Sequence, residues 1–370
     1  MHIDETKKTI LEIDKQIAEL FQQRMHAAEE IAAYRKERGL QVFDPAQEKG
    51  IIERNSALIT DEAIKEYYIN FVQDTLAITR KYQERLISGA KVAYSGVEGA
   101  FAFIAAKRIF PNDRYIAYHS FDEAYLSVVE GECDYAVLPI ENSYAGEVGQ
   151  VLDLMFHGAL HVNGVYNLNV VHHLLGVPGA KLSDITTVIS HPQALSQCDP
   201  YIQQHGFTKI NEVNTAVAGA RVSQTGDIHT AAIASEETAE LYGLTVLDRE
   251  INESKDNTTR FAVFSRTKHN VASKHKGSTF ILLFRVSNEA GALAKTLTVV
   301  AKYGYNMNVL RSRPIKTTPW KYYFYAEIEG SPSDEKGKEM LQELKNHCDM
   351  IKVAGQYIAT RKALEEGEEA

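Results

Sequence analysis

The stretch Asp256-Asn257-Thr258-Thr259-Arg260-Phe261 runs straight into Ala262-Val263-Phe264. A polar turn thus feeds an apolar run that reads as a buried strand. Two hydroxyls and a guanidinium stand at the mouth of that strand. Polar side chains at the rim of an apolar core suit a ligand site at a sheet edge. A threonine pair before a strand is also an ordinary strand start, so the stretch is weighed with the rest of the chain.

The chain has 370 residues, enough for about two to three domains. Hydrophobic residues make up 44% and charged residues 24%, which predicts a buried core under a soluble surface. A formal net charge of -9 argues against nucleic acid or an anionic membrane as the main partner. It leaves room for anionic small substrates held by local basic side chains. Cys133, Cys198 and Cys348 lie far apart, which fits neither a disulfide framework nor a zinc site. No metal or cofactor is expected. The first residues lack a basic region followed by an apolar core, and no apolar run is long enough to span a membrane. A cytoplasmic location is the expectation.

Thr6 to Arg38 contains neither proline nor glycine, and Gly39 ends the run. Ile10, Ile13, Ile17, Leu20, Ala27, Ile31 and Tyr34 recur three and four apart, the stripe of an amphipathic helix roughly 50 Å long. Asp44-Pro45 opens a second helix, with Gln47 placed to complete a capping box. A third runs from about Asp61 to Leu86. One helix far longer than its neighbours leaves a face uncovered, and a dimer would cover it. Arg24 falls on the apolar stripe and needs an anion, a neighbouring acid or a route to solvent. Arg35 lies on nearly the same face.

This segment resembles the all-helical chorismate mutase domain, an intertwined dimer that holds a dicarboxylate between cationic side chains. Catalysis there selects a compact conformer and stabilises charge on the breaking ether oxygen. The resemblance matches Arg24 to the family's first-helix arginine, and Asp44 and Glu48 to the acidic pair of its second helix. Lys7 stands where an arginine reaches across from the partner subunit, and Arg35 where a lysine is usual. Gln47 stands in place of an arginine, and Thr79 in place of the glutamine that contacts the ether oxygen.

From Ala90 to about Thr267, short apolar strands alternate with helices, which predicts a largely parallel sheet with ligands beyond its strand ends. Gly96-Val97-Glu98-Gly99 is a glycine turn before a helix, and Ser120 opens another helix. Glu141-Asn142-Ser143 and Ser190-His191-Pro192-Gln193 fall at strand ends. Ser190 and Gln193 also read as a capping box with no function needed. Gly96–Phe101, Pro139–Ser143 with Gly146, Ser190–Cys198 and Asn257–Phe261, in that order, resemble prephenate dehydratase. Ala102 stands where that family has serine. The resemblance implies two α/β lobes of periplasmic-binding-protein type with prephenate in the cleft between them. The chain would cross between lobes near residues 165 and 245. The reaction loses carbon dioxide and hydroxide from prephenate to give phenylpyruvate. The resemblance gives Thr259 the leading role, as an oriented donor or relay. Glu141 or His191 would be the proton source. Asn142, Ser143, Ser190 and Gln193 would orient and bind. Arg260 is either the carboxylate anchor or a structural partner to an acid.

From Thr279 the pattern is βαββαβ, with strands at Phe280–Val286, Asn306–Arg313, Tyr322–Ile328 and Ile351–Ala359. The helices run from about Ala292 to Tyr303 and from Asp334 to Asn346. This segment resembles an ACT domain of the phenylalanine-sensing kind. Gly291, Ala292 and Leu293 match its first motif, and Ser312, Arg313 and Pro314 its second, which normally begins with glutamate where this chain has Arg311. Glu365 to Glu369 reads as an acidic, disordered tail.

The expected protein is multidomain: an all-α mutase domain (1–88), a two-lobed α/β dehydratase domain (89–268) and an α+β ferredoxin-like ACT domain (277–362). The dehydratase lobes are expected at about 89–165 plus 246–268, and 166–245. The function expected is conversion of chorismate to prephenate and of prephenate to phenylpyruvate, in a homodimer or higher homo-oligomer with L-phenylalanine as effector. A monofunctional dehydratase with a dimerising helical segment, and a non-catalytic amino-acid-binding regulator, are the alternatives.

Overall fold

The computed structural model describes residues 3–269, 277–316 and 318–358. The chain divides into two compact units, one ending at Ala90 and one beginning at Lys91.

The first unit is helical: α1 is Ile3–Arg38, α2 Pro45–Ser56 and α3 Glu62–Ser88. Asp44 caps α2 by accepting from the N–H groups of Ala46 and Gln47. The expected capping box is only half made, because the Gln47 side chain accepts from Arg35 (3.3 Å). The buried seam runs through Ala28 and Ala32 of α1 and Val72, Leu76 and Gln83 of α3. It lies one residue from the expected stripe, leaving Ala27, Ile31 and Tyr34 exposed. Ile10, Ile13, Ile17 and Leu20 are 46–63% exposed, since α1 outruns the helices available to cover it.

The second unit begins with β1 (Lys91–Ser95), α4 (Phe101–Ile109), β2 (Arg114–Tyr118), α5 (Phe121–Val129), β3 (Tyr135–Asn142), β4 (Gly146–Glu147), α6 (Gly149–His157) and β5 (His161–Asn169). Then come β6 (His173–Gly176), β7 (Thr187–Ser190), α7 (Pro192–Gln197), α8 (Asp199–His205), β8 (Thr208–Asn211), α9 (Thr215–Thr225), β9 (Thr230–Ala234), α10 (Glu236–Tyr242) and β10 (Thr245–Asp248). The chain ends with β11 (Thr258–Ser265), β12 (Ser278–Arg285), α11 (Ala292–Lys302), β13 (Met307–Pro314), β14 (Tyr322–Glu329), α12 (Glu335–Leu344) and β15 (Met350–Ile358). The expected end of the last strand at Ala359, the limit at 362 and the acidic tail lie outside the described residues.

One sheet has the order β13-β14-β12-β15-β5-β11-β3-β1-β2, with β4 on β3, and a second has the order β10-β6-β9-β7-β8. The chain leaves the first sheet after β5, builds the second, and returns as β11. The crossings lie at residues 170–172 and 249–257, whereas 165 falls inside β5 and 245 opens β10. The sheets are mixed rather than largely parallel. β1 is parallel to β2 and β3, and β7 to β8 and β9, but β11 is antiparallel to both β3 and β5. The chain re-enters the sheet from the end at which β5 left it, so the returning strand must run the opposite way.

The C-terminal βαββαβ segment does not stand apart. β15 lies parallel to β5, with Gly355 opposite Val162. A Cβ at Gly355 would stand 1.9 Å from the Val162 carbonyl oxygen, so only glycine permits this join. One core runs through both segments, containing Leu138, Phe264, Tyr323 and Tyr357, and Phe156 stacks on Tyr323 with ring centroids 4.0 Å apart.

Candidate active site

Only the head of the polar stretch, at Asp256, is a turn: Thr258, Thr259 and Arg260 are already the first residues of β11. Thr259 lies opposite Asn142 and Arg260 opposite Glu141 on β3. The register then steps to Phe261 opposite Pro139, leaving Ile140 extra. Pro139 has no N–H to give the ladder, so a bulge forms where proline is tolerated. Successive residues of a strand face opposite sides. Thr259, Asn142 and Phe261 therefore line a cleft of about 380 Å³, together with Phe101, His191 and Gln193.

In this cleft the Asn142 amide donates to Thr259 Oγ1 and to Asn257 Oδ1, both at 2.9 Å. Asn142 Oδ1 accepts from the N–H groups of Tyr144 and Ala145 (3.0 and 2.9 Å) and from Gln193 Nε2 (3.5 Å). The amide orientation is thereby set. Because Thr259 Oγ1 is already an acceptor, its own proton is free for a ligand. His191 caps α7, its Nδ1 accepting from the Gln193 N–H (3.2 Å). A neutral ring then carries its proton on Nε2, and burial lowers its pKa to favour that neutral form. The first turns of α4 and α9 also line the cleft, through Phe101 and Thr215. Ala100 gives α4 no side-chain cap, so its first N–H groups remain for an anion.

The other face of the same strands carries charge. Arg260 makes two 2.8 Å bonds to the buried Glu327 of β14, donates to Glu141 (3.1 Å) and to the Tyr357 hydroxyl (3.2 Å). Arg311 also pairs with Glu141. Burial alone would raise the Glu327 pKa, but Arg260, Tyr325 and Tyr357 hold it below the usual carboxylate range.

In the helical unit Arg24 donates to Thr79, and burial lowers its pKa. Arg35 donates to the Val42 carbonyl (2.7 Å), Gln83 Oε1 (2.8 Å) and Gln47. Glu48 accepts from Arg80 at 2.8 Å. Among the described residues no group of three His, Cys, Asp or Glu could hold a metal ion, and no helix is long and apolar enough to cross a membrane.

Residues 92–269 match the family model for prephenate dehydratase, and residues 7–84 that for chorismate mutase type II. The bifunctional chorismate mutase/prephenate dehydratase of Escherichia coli (strain K12) is 30% identical over 372 residues, covering 95% of this chain and 95% of its own length. This chain belongs to that bifunctional family. The chloroplastic arogenate dehydratase/prephenate dehydratase 1 of Arabidopsis thaliana is 34% identical over 284 residues, 73% of this chain and 72% of its own. Among solved structures, Arthrobacter aurescens prephenate dehydratase in complex with L-Phe has a TM-score of 0.68 at 25% identity, covering 74% of this chain and 92% of its own. A protein described as a novel type of quorum quenching acylase also has a TM-score of 0.68, at 32% identity, covering 73% and 98%.

In the cleft the structure brings together Thr259, Asn142, His191 and Gln193. Four expected site residues point elsewhere. Glu141 and Arg260 face the ionic network behind the strands, so neither a proton from Glu141 nor a carboxylate anchor at Arg260 reaches the cleft. Ser190 is fully buried and donates to the Ile233 carbonyl (2.5 Å), so the expected capping box with Gln193 is replaced by the His191 cap. Ser143 donates to the Asp256 carbonyl (3.1 Å) and accepts from Thr258 N (2.9 Å), tying the polar stretch to the end of β3. His172 and Gln197 line the cleft and were not singled out from sequence. They are bonded at 2.9 Å, and burial pushes the His172 pKa down to about 4. Gln197 was legible as the residue one helical turn after Gln193, whereas His172, at the head of an apolar run, carried no signal.

In the mutase unit a glutamine accompanies Thr79 on α3. Gln83 stands one turn on, on the same face of α3, buried and bonded to Arg35 and the Ala28 carbonyl. Asp44 serves as a helix cap. Lys7 is exposed beside Asp4 (3.9 Å), seventeen residues and roughly 25 Å of helix from Arg24. In the C-terminal segment Gly291 precedes α11 at φ +81°, which a glycine accommodates, followed by Ala292 and Leu293. Arg313 turns toward the dehydratase segment and pairs with Glu147 and Asp153 (3.2 Å), while Ser312 and Pro314 remain on β13.

Proposed function

We propose that Thr259 and Asn142 form the working pair of the dehydratase, and that Arg24, Arg35, Glu48 and Gln83 form the mutase site. The chain is a chorismate mutase and a prephenate dehydratase. In the dehydratase the bond to the departing carboxyl supplies its electron pair to the ring as the bond to the C4 oxygen breaks. Carbon dioxide leaves, and hydroxide departs as water once protonated. The observation that carries the assignment is the 2.9 Å bond from Asn142 to Thr259, which frees the Thr259 proton to face the departing hydroxyl. His191, held neutral with its proton on Nε2, is a second donor. Gln193 orients Asn142, and the uncapped start of α4 receives a carboxylate of the substrate.

The C-terminal segment is read as an ACT domain that takes L-phenylalanine near Gly291–Leu293 and Ser312–Pro314. The chain is read as three domains, 1–88, 89–268 and 277–362, assembling as a homodimer in the cytoplasm. Support for the dimer comes from the exposed stripe of α1 and from Lys7, which can complete a mutase site only on another subunit. Support for sensing comes from the L-Phe complex of the Arthrobacter relative and from the order of the two motifs. Supplying chorismate, prephenate and arogenate separately to the purified chain and identifying the products tests this reading. Prephenate from chorismate and phenylpyruvate from prephenate are expected. No turnover of prephenate would overturn the assignment of the cleft.

A further inference from the structure

Arg80 follows Thr79 on α3, and its guanidinium reaches Glu48 on α2 at 2.8 Å while lying over the Phe43 ring, 4.6 Å from its centroid. Its side chain is 28% exposed and that of Glu48 24%, so the pair sits at the wall of the unit rather than out in solvent. The mutase polar groups form three bonded sets. Arg24 meets Thr79, Thr79 lies one turn from Gln83, and Gln83 accepts from Arg35. Arg35 also meets Gln47, and Glu48 meets Arg80. Three guanidiniums stand in these sets against the Glu48 carboxylate, and the balance stays positive when the cap Asp44 is counted. An ion pair that only tied α2 to α3 would be self-neutral. The surplus charge suits a dicarboxylate.

The first-turn position of α2 where the family carries an arginine is Gln47 here, and its side-chain oxygen is taken up by Arg35. Gln47 flanks Glu48 in sequence and Arg80 flanks it in space. A guanidinium arriving from α3 therefore serves the neighbourhood that one growing from position 47 would serve. One nitrogen of Arg80 bonds Glu48, and a guanidinium has five N–H donors in a fork that fits a carboxylate. We propose that Arg80 anchors a carboxylate of chorismate, replacing the arginine absent at Gln47. The proposal rests on the mutase reading above.

Steady-state conversion of chorismate is measured on the full chain, its Arg80→Gln and Arg80→Lys variants, and the Arg80→Gln/Gln47→Arg double variant. Dehydratase turnover and the helical circular-dichroism melt report integrity. Arg80→Gln is expected to raise the KM for chorismate roughly ten- to a hundredfold, leaving dehydratase turnover unchanged. Adding Gln47→Arg is expected to restore most of that loss. Arg80→Lys keeps a cation beside Glu48 but loses the fork, so an anchor predicts a raised KM and a structural pair predicts the parental one. This variant decides the matter if Arg80→Gln unfolds the helices. A parental KM in folded Arg80→Gln or in Arg80→Lys, or a loss that Gln47→Arg does not relieve, overturns the proposal. A parent chain inert toward chorismate overturns the mutase reading itself, which no difference among the variants could mimic.

Discussion

The Thr259 hydroxyl has one proton to give, and the Asn142 amide leaves it free to do so. Thr259→Ala is therefore expected to lower dehydratase kcat by about 10²–10³-fold, the usual cost of one preorganised donor, with KM little changed and the fold intact. Full turnover in that variant would remove Thr259 from the chemistry. His172 makes a separate prediction. Its folded pKa of about 4 lies below the ordinary histidine value of 6.5, so the unfolded chain binds the extra proton first. The stability it confers is complete above the unfolded value and declines as pH falls from there toward 4, by up to about 3 kcal/mol. Denaturant midpoints measured across this window should fall less steeply in His172→Gln than in the parent.

At the scale of the element, β11 turns one face to the cleft and the other to an ionic support. Thr259 sees the cleft while its neighbour Arg260 is gripped by Glu327 of β14. Removing one partner of such a buried pair leaves the other uncompensated, so Glu327→Gln should cost about 3–5 kcal/mol of stability. The depressed Glu327 pKa means this contribution is present above the unfolded carboxylate value and is lost as pH falls through the folded one. The same variant should lower dehydratase kcat and spare the mutase, since no residue of the helical unit is involved. A variant with parental stability would show that Arg260 is adequately paired by Glu141 alone. Element identities were largely legible. The cap Asp44, the Gly96–Gly99 turn and the βαββαβ order were read from local chemistry acting over a few residues. The stripe of α1 was read one residue away from the true seam, because the face that is buried depends on where α3 lies.

For the whole molecule, two compact units predict separable defects. Arg24→Ala should abolish conversion of chorismate and leave prephenate turnover near normal, which paired assays on one preparation would check. L-Phenylalanine at a hundredfold over its Kd should stabilise the chain by about 2.7 kcal/mol if the C-terminal segment binds it. An unshifted thermal midpoint at saturation would count against sensing there.

Motif residues and strand and helix positions were determined by the sequence alone, because caps, turns, periodicity and the ordered dehydratase motifs are encoded locally. Thr259, Asn142, His191 and Gln193 were named from them and do share the cleft. What only the tertiary structure decided was which neighbours of those residues turn away. Glu141 and Arg260 sit one position along the same strands and look equally catalytic in a linear reading. The alternation of a strand sends them to the opposite face, and the partners awaiting them, Glu327 and Arg311, come from a segment that the β15–β5 join brings alongside. A charge's role depends on what the fold places beside it, and that is a property of long-range packing.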